Sequence, residues 1–194
     1  RLADGDFTPV FLRMATAYGV SPRMRLDTVV NDFVASAVAQ GRVNMQTTGQ
    51  AWRPLMHVED IARAYAAVLT APDELVANQV FNVADTAENY RVADVAELVS
   101  ENVPRTTYTA NVGLPDRRSY RVNGDKLVRT RPRLAYRWTL GDGIRQLRDA
   151  MENAGMTPGE WRCGRYRRML RLRTLVERGE IDSSLRFHEP ATIV

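Results

Sequence analysis

Short apolar runs alternate with helical stripes through the first half of the chain, and that alternation narrows the available folds more than any other feature. Thr8-Pro9-Val10-Phe11-Leu12-Arg13-Met14-Ala15 reads as a mostly apolar strand entered through a proline. A continuous run of this kind suits a strand covered on both faces, as in a parallel sheet. Tyr18-Gly19-Val20-Ser21-Pro22 breaks it. Between 27 and 40, Val30, Phe33, Val34, Ala37 and Val38 make a helical stripe, with Gly41 as its stop. The pattern continues with a strand over 43–47, a turn-rich connection over 49–54 and an alanine-rich helix over 61–70, opened by Val58-Glu59-Asp60. A strand at 80–84, a helix at 92–99, a strand over 106–112, a short helix at 125–129 and a helix from about 143 to 153, closed by Gly155, complete it. Strands alternating with helices define the α/β class.

Charge divides the chain. Residues 1–101 hold 8 Arg against 13 acidic residues, whereas 102–194 hold 18 Arg and Lys126 against 10, for a net charge of +4. Lys126 is the only lysine, so the basic character is nearly all arginine, whose fork suits phosphates and carboxylates. A boundary falls near 158–160. Beyond it, 161–178 predicts one very basic helix with Met169, Leu172, Leu175 and Val176 on one face. At 44% hydrophobic and 26% charged, the chain excludes wholesale disorder. No apolar run approaches the ~20 residues of a membrane helix. Cys163 is the sole cysteine and cannot form an internal disulfide, and one Cys with two His gives no zinc spacing. A reducing, cytoplasmic setting is therefore expected, with no membrane partner.

Four segments in order carry a resemblance. They are Leu12-Arg13-Met14-Ala15-Thr16-Ala17-Tyr18-Gly19 with Ser21-Pro22-Arg23-Met24-Arg25; Trp52-Arg53-Pro54-Leu55-Met56-His57-Val58-Glu59-Asp60-Ile61-Ala62-Arg63-Ala64; Val80-Phe81-Asn82-Val83-Ala84; and Asp116-Arg117-Arg118-Ser119-Tyr120-Arg121-Val122 with Lys126 beyond. Together they resemble the extended short-chain dehydrogenase/reductase family, the NAD-dependent sugar-nucleotide epimerases and dehydratases, over roughly residues 7–153. The resemblance implies the C-terminal part of a Rossmann-type doubly wound parallel sheet plus a smaller mixed α/β substrate-binding domain. Residues 1–157 would hold this part, with the last Rossmann strands near 8–15 and 80–84, and 158–194 would be a basic helical extension.

Two of the family's features are missing. No G-x-G-x-x-G or G-x-x-G-x-x-G turn occurs, and the residue four before Lys126 is Val122, so there is no Tyr-x-x-x-Lys pair. Relatives carry both upstream of the Leu12–Gly19 segment. With Arg1 in first place, the expectation is the C-terminal portion of a longer enzyme, cut just past its catalytic helix and inactive alone.

The resemblance implies roles position by position. Ala15 and Ala17 would lie near the nicotinamide of NAD (or NADP), most of which the upstream part would bind. Thr16 stands where relatives commonly have a substrate-contacting asparagine, and its hydroxyl can still donate and accept one hydrogen bond. Asn31 matches an asparagine that contacts the nucleotide diphosphate, or it N-caps its helix. Arg53 and Arg118 match the two phosphate-binding arginines, Arg117 being adjacent, and Arg25 is a weaker candidate for the same pocket. His57 and Asp60 read as structural, with Asp60 starting a helix, and Cys163 as an ordinary residue. The implied partner is a nucleotide sugar, within a homodimeric full-length enzyme. Two alternatives stand beside this: a non-catalytic NAD(P)-binding relative, and a nucleic-acid module using Arg162, Arg165, Arg167, Arg168, Arg171 and Arg173. The second is disfavoured, since a solvated or subunit-contacting helix explains the same stripe.

Overall fold

The computed structural model describes residues 7–110, 116 and 118–187. The first apolar run forms two strands, β1 (Phe11–Met14) and β2 (Thr16–Tyr18), because the chain changes partners at Ala15. β1 pairs in parallel with β5 (Val80–Val83), and β2 in parallel with β4 (Trp52–His57). β4 also pairs antiparallel with β6 (Asn89–Arg91), and β3 (Arg42–Met45) pairs in parallel with β7 (Thr107–Ala110). Helices supply the crossovers that parallel strands require. α1 (Val29–Gln40) leads to β3, while α2 (Val58–Leu69) and the single turn α3 (Asp73–Val76) lead to β5. α4 (Val92–Asn102) joins β6 to β7, and α5 (Asp125–Thr130), α6 (Leu140–Asn153), α7 (Pro158–Arg162) and α8 (Arg168–Glu177) follow. The fold is α/β, and β1 and β5, the two strands expected of a Rossmann-type sheet, lie side by side.

Gly41 closes α1 in the left-handed conformation at φ 67°, as its position after the last apolar residue predicts. The turn expected over 49–54 is instead partly strand, since Trp52, Arg53 and Pro54 belong to β4. Leu55 donates its N–H to Glu88 O on the β6 side at 2.9 Å, so the nitrogen of Pro54 faces the opposite edge. There pairing with β2 begins only at Leu55, and no ladder bond is lost.

The basic helix expected over 161–178 is also corrected: α7 ends at Arg162 and α8 begins at Arg168. A continuous helix would set Trp161 and Tyr166 about 140° apart. Breaking at 163–167 lets both rings pack against the same core. The apolar face expected on α8 is not buried, for Met169 is 62% and Val176 40% exposed.

Two cores form. One gathers Val30, Phe33 and Val34 of α1 with Val95 of α4 and Ile144 and Leu147 of α6. The other gathers Ile61, Ala64 and Val68 of α2 with Phe81 and Val83 of β5 and Leu127 of α5. Lys126 fastens α5 to β5, donating to Gln79 Oε1 and Val80 O at 2.9 Å each. β1 departs from the expectation of a doubly covered strand. Phe11 and Met14 are each 54% exposed, and no described element pairs with the free edge of β1.

The start of α2 ties the cores together. Asp60 is buried and accepts from the backbone N–H of Arg137 and of Trp138, at 2.9 Å each, and from Arg63 Nη1 at 2.8 Å. Those bonds fix the segment that leads into α6.

Two outcomes follow. Asp60→Ala leaves two N–H groups and a guanidinium without their acceptor and lowers unfolding free energy by about 3 kcal/mol, read by urea titration; an unchanged midpoint contradicts the anchor. The 194-residue chain binds an apolar dye through the β1 face and self-associates, and Met14→Lys reduces both, read by dye fluorescence and light scattering.

Candidate functional site

A groove of about 410 Å³ opens between the first turn of α1, the loop after β3, the start of β4 and the segment 116–120. Thr16, Arg53 and Arg118 all line it. Arg53 is held from several sides: Nη1 donates to Trp52 O at 2.7 Å and to Arg118 O, and Nη2 pairs with Asp116. Asp116 also accepts from the backbone N–H of Arg118 at 2.9 Å and from its Nε at 3.4 Å. The Arg118 N–H bond, its guanidinium and Arg53 hold the Asp116 carboxyl below the ordinary carboxylate range. One carboxylate thus sits between two guanidinium groups at the groove. The Arg118 side chain is 83% exposed.

The segment carrying Arg118 is registered on β4. Trp52 donates its N–H to Ser119 Oγ at 3.1 Å, and the guanidinium groups of Arg91 and Arg121 lie 5.3 and 5.1 Å from the Trp52 ring centroid. On the opposite wall, Thr28 is the N-cap of α1 and lines the groove. Its Oγ1 is buried with no hydrogen-bond partner.

The remaining sequence-selected residues lie elsewhere. Ala15 is buried at the β1–β2 junction and donates its N–H to Val83 O at 3.0 Å, while Ala17 is exposed on β2. Asn31 is not the N-cap of α1. It is buried, accepting from Gly19 N–H at 3.1 Å and donating to Arg25 O at 2.9 Å, so it fastens the 19–25 loop to the helix. Arg25 pairs with Asp27 at 2.8 Å and lines a different groove. Arg117 lies outside the described residues. Sequence reading assigned no role to Asp116 or Thr28. The signals were present: a carboxylate two residues before an arginine whose N–H it can accept, and a threonine just before an apolar-periodic stretch.

His57 is buried, and both its ring nitrogens are engaged. Nε2 meets Gln146 Oε1 at 2.9 Å, and Nδ1 accepts the N–H of Glu59 at 3.3 Å, capping α2. Its ring stacks on Trp138 at 3.9 Å and meets Tyr18 edge-on at 5.4 Å. Gly143 permits this packing, since a Cβ there would stand 2.4 Å from Tyr18 Cε2. Among the described residues no group of His, Cys, Asp and Glu is placed to hold a metal, and no helix is long and apolar enough to cross a membrane.

The α/β fold is shared with several solved enzymes. It is similar to ADP-L-glycero-D-manno-heptose-6-epimerase of Helicobacter pylori (16% identity, TM-score 0.62, 76% of this chain and 45% of that one). It is also similar to UDP-glucuronic acid 4-epimerase of Bacillus cereus in complex with UDP-glucuronic acid and NAD (18%, 0.59, 75% and 45%). A third likeness is to RMD of Pseudomonas aeruginosa complexed with NADPH (14%, 0.62, 74% and 48%). The chain spans slightly under half the length of each. Residues 2–84 match the sequence model of the NAD dependent epimerase/dehydratase family. The match takes in Thr16 and Arg53 and ends before the segment of Asp116 and Arg118.

Burial pushes His57 below its ordinary pKa of 6.5, so the folded chain holds the ring neutral. An unfolded chain takes up that proton as pH falls below about 6.5. The contribution of His57 is therefore complete above 6.5 and is lost progressively as pH drops toward the lowered folded value. Urea titrations between pH 7.5 and 5 show stability falling, and His57→Gln flattens the slope; an equal slope in both proteins refutes the assignment.

Proposed function

We propose that this chain is the substrate side of an NAD-dependent nucleotide-sugar epimerase or dehydratase, and that its groove grips the diphosphate. The observation that carries the reading is the convergence of Arg53 and Arg118 on one carboxylate at a groove beside the start of α1. Two guanidinium groups that already hold one anionic side chain offer charge-assisted, orienting bonds to a diphosphate. The start of α1 lines the same groove, and Thr16 lies on it for the sugar.

The NAD (or NADP) bound in such enzymes accepts a hydride from a sugar carbon. Toward that group this chain offers the exposed methyl of Ala17 and the wall at Ala15, whose N–H is already committed to Val83 O. It carries no glycine-rich turn for the cofactor's pyrophosphate and no Tyr-x-x-x-Lys pair to take a hydroxyl proton. Its share is therefore binding and orientation, and the chain by itself turns over nothing. The uncovered β1 edge supports the same reading, since it is where the rest of a nucleotide-binding sheet would pair.

Calorimetric titration with UDP, ADP and GDP tests the grip. At least one binds, with no reduction of added NAD by the matching sugar nucleotide. Arg118→Gln, an exposed change that leaves the melt intact, weakens binding about 10-fold, and Arg53→Gln on the order of 10- to 100-fold. Unchanged affinity in Arg118→Gln, or turnover by the 194-residue chain, overturns the proposal.

A further inference from the structure

The arginine-rich stretch after residue 160 divides its labour. Arg167 turns back onto α1, meeting Asp32 at 2.5 Å and lying 5.2 Å from the Trp161 ring centroid. Arg162 covers the same ring at 5.3 Å and reaches Gln40 at 3.4 Å. Both serve packing. Arg165, Arg168 and Arg171 instead line a groove of about 350 Å³, and the 23–25 segment brings Arg23 and Arg25 to it. Among the described residues only Arg25 of these five has a carboxylate at ion-pairing distance, Asp27.

Backbone contacts fix this groove. Leu26 donates its N–H to Tyr166 O at 3.0 Å, joining the segment beside Arg25 to the break between α7 and α8. Gly164 packs so closely on α8 that a Cβ would lie 3.3 Å from Arg171 Cα. Leu172 and Leu175 add an apolar part to the lining. Four guanidinium groups outnumber the one nearby carboxylate, Asp27, around this concavity, repel one another and are relieved by an anion of matching charge density.

We propose that this groove binds a small phosphoryl-rich anion, with two or more adjacent phosphoryl groups, such as a nucleoside polyphosphate or inorganic polyphosphate. Its volume lies within the roughly 300–1,000 Å³ range of small-molecule sites, and its arginines converge instead of following an extended track. The basic stripe ends at Arg173: Glu177 ends α8, and Arg178 beyond it pairs with Glu180 at 3.8 Å. The site is separate from the Arg53–Arg118 groove and shares no lining residue with it.

The test titrates the full 194-residue chain, and its Arg118→Gln variant, with tripolyphosphate and with ATP. Tripolyphosphate binds both proteins. The triple variant R165Q/R168Q/R171Q, altered on the exposed α8 and the break before it, loses on the order of 100-fold or more in affinity, whereas Arg173→Gln, on α8 outside the groove, keeps it. ATP binding tighter than tripolyphosphate identifies a nucleotide as the source, and equal binding identifies the phosphoryl chain alone. The proposal fails if the triple variant binds as the parent does. It fails also if single-stranded DNA binds more tightly than tripolyphosphate, with affinity rising with length, which would make the stretch a nucleic-acid surface.

Discussion

A buried carboxylate and a buried imidazole, three residues apart at the head of one helix, hold the molecule's parts in register. Asp60 gathers the backbone of Arg137 and Trp138, and His57 stacks on the Trp138 ring while capping α2. Through Gln146 the same imidazole reaches α6, and through Tyr18 it reaches β2. β2, β4, α2 and α6 thus meet at one polar knot inside an otherwise apolar interior. A buried polar group is costly unless its partners are present. Most of its partners come from distant segments of the chain, so the whole knot exists only in the assembled fold.

The groove depends on that assembly. Arg53 sits at the start of the strand that ends at His57, and Thr16 lies on the strand beside it. Arg118 arrives from a segment registered on Trp52. The two arginines are 65 positions apart in sequence, yet a single carboxylate bridges them. Asp116 occupies the arginines in the way a ligand's oxygens would, keeping them ordered and partly neutralised.

What could be read from the residues was local. The stripe Val30, Phe33, Val34, Ala37 and the stop at Gly41 are properties of neighbouring residues, and α1 lies where they put it. The same holds for the apolar runs that became β1 and β5, whereas α6 starts at Leu140, three residues before the expected position. What could not be read was set by distant partners. Ala15 looks like mid-strand because nothing local marks the point where one strand leaves β5 and the next joins β4. Pro54 looks like a turn because its tolerance depends on where β2 begins. The stretch 161–178 looks like one helix because only the core requires Trp161 and Tyr166 on the same side. For the site, Thr16, Arg53 and Arg118 could be named from motif positions, and the groove contains all three. Asn31 and Arg25 could be named too, but their bonds with the backbone and with Asp27 are visible only in three dimensions.

β4 has one further consequence. Leu55 and Met56 are neighbours whose side chains leave opposite faces of the strand, so Leu55 enters the core with α1 and Met56 the core with α2. The two cores share no buried side chain, but they share this backbone. A one-residue insertion in β4 would exchange Leu55 and Met56 between the cores and turn Arg53 away from its carboxylate. Length changes between Trp52 and His57 are thus closed to this chain in evolution and in engineering.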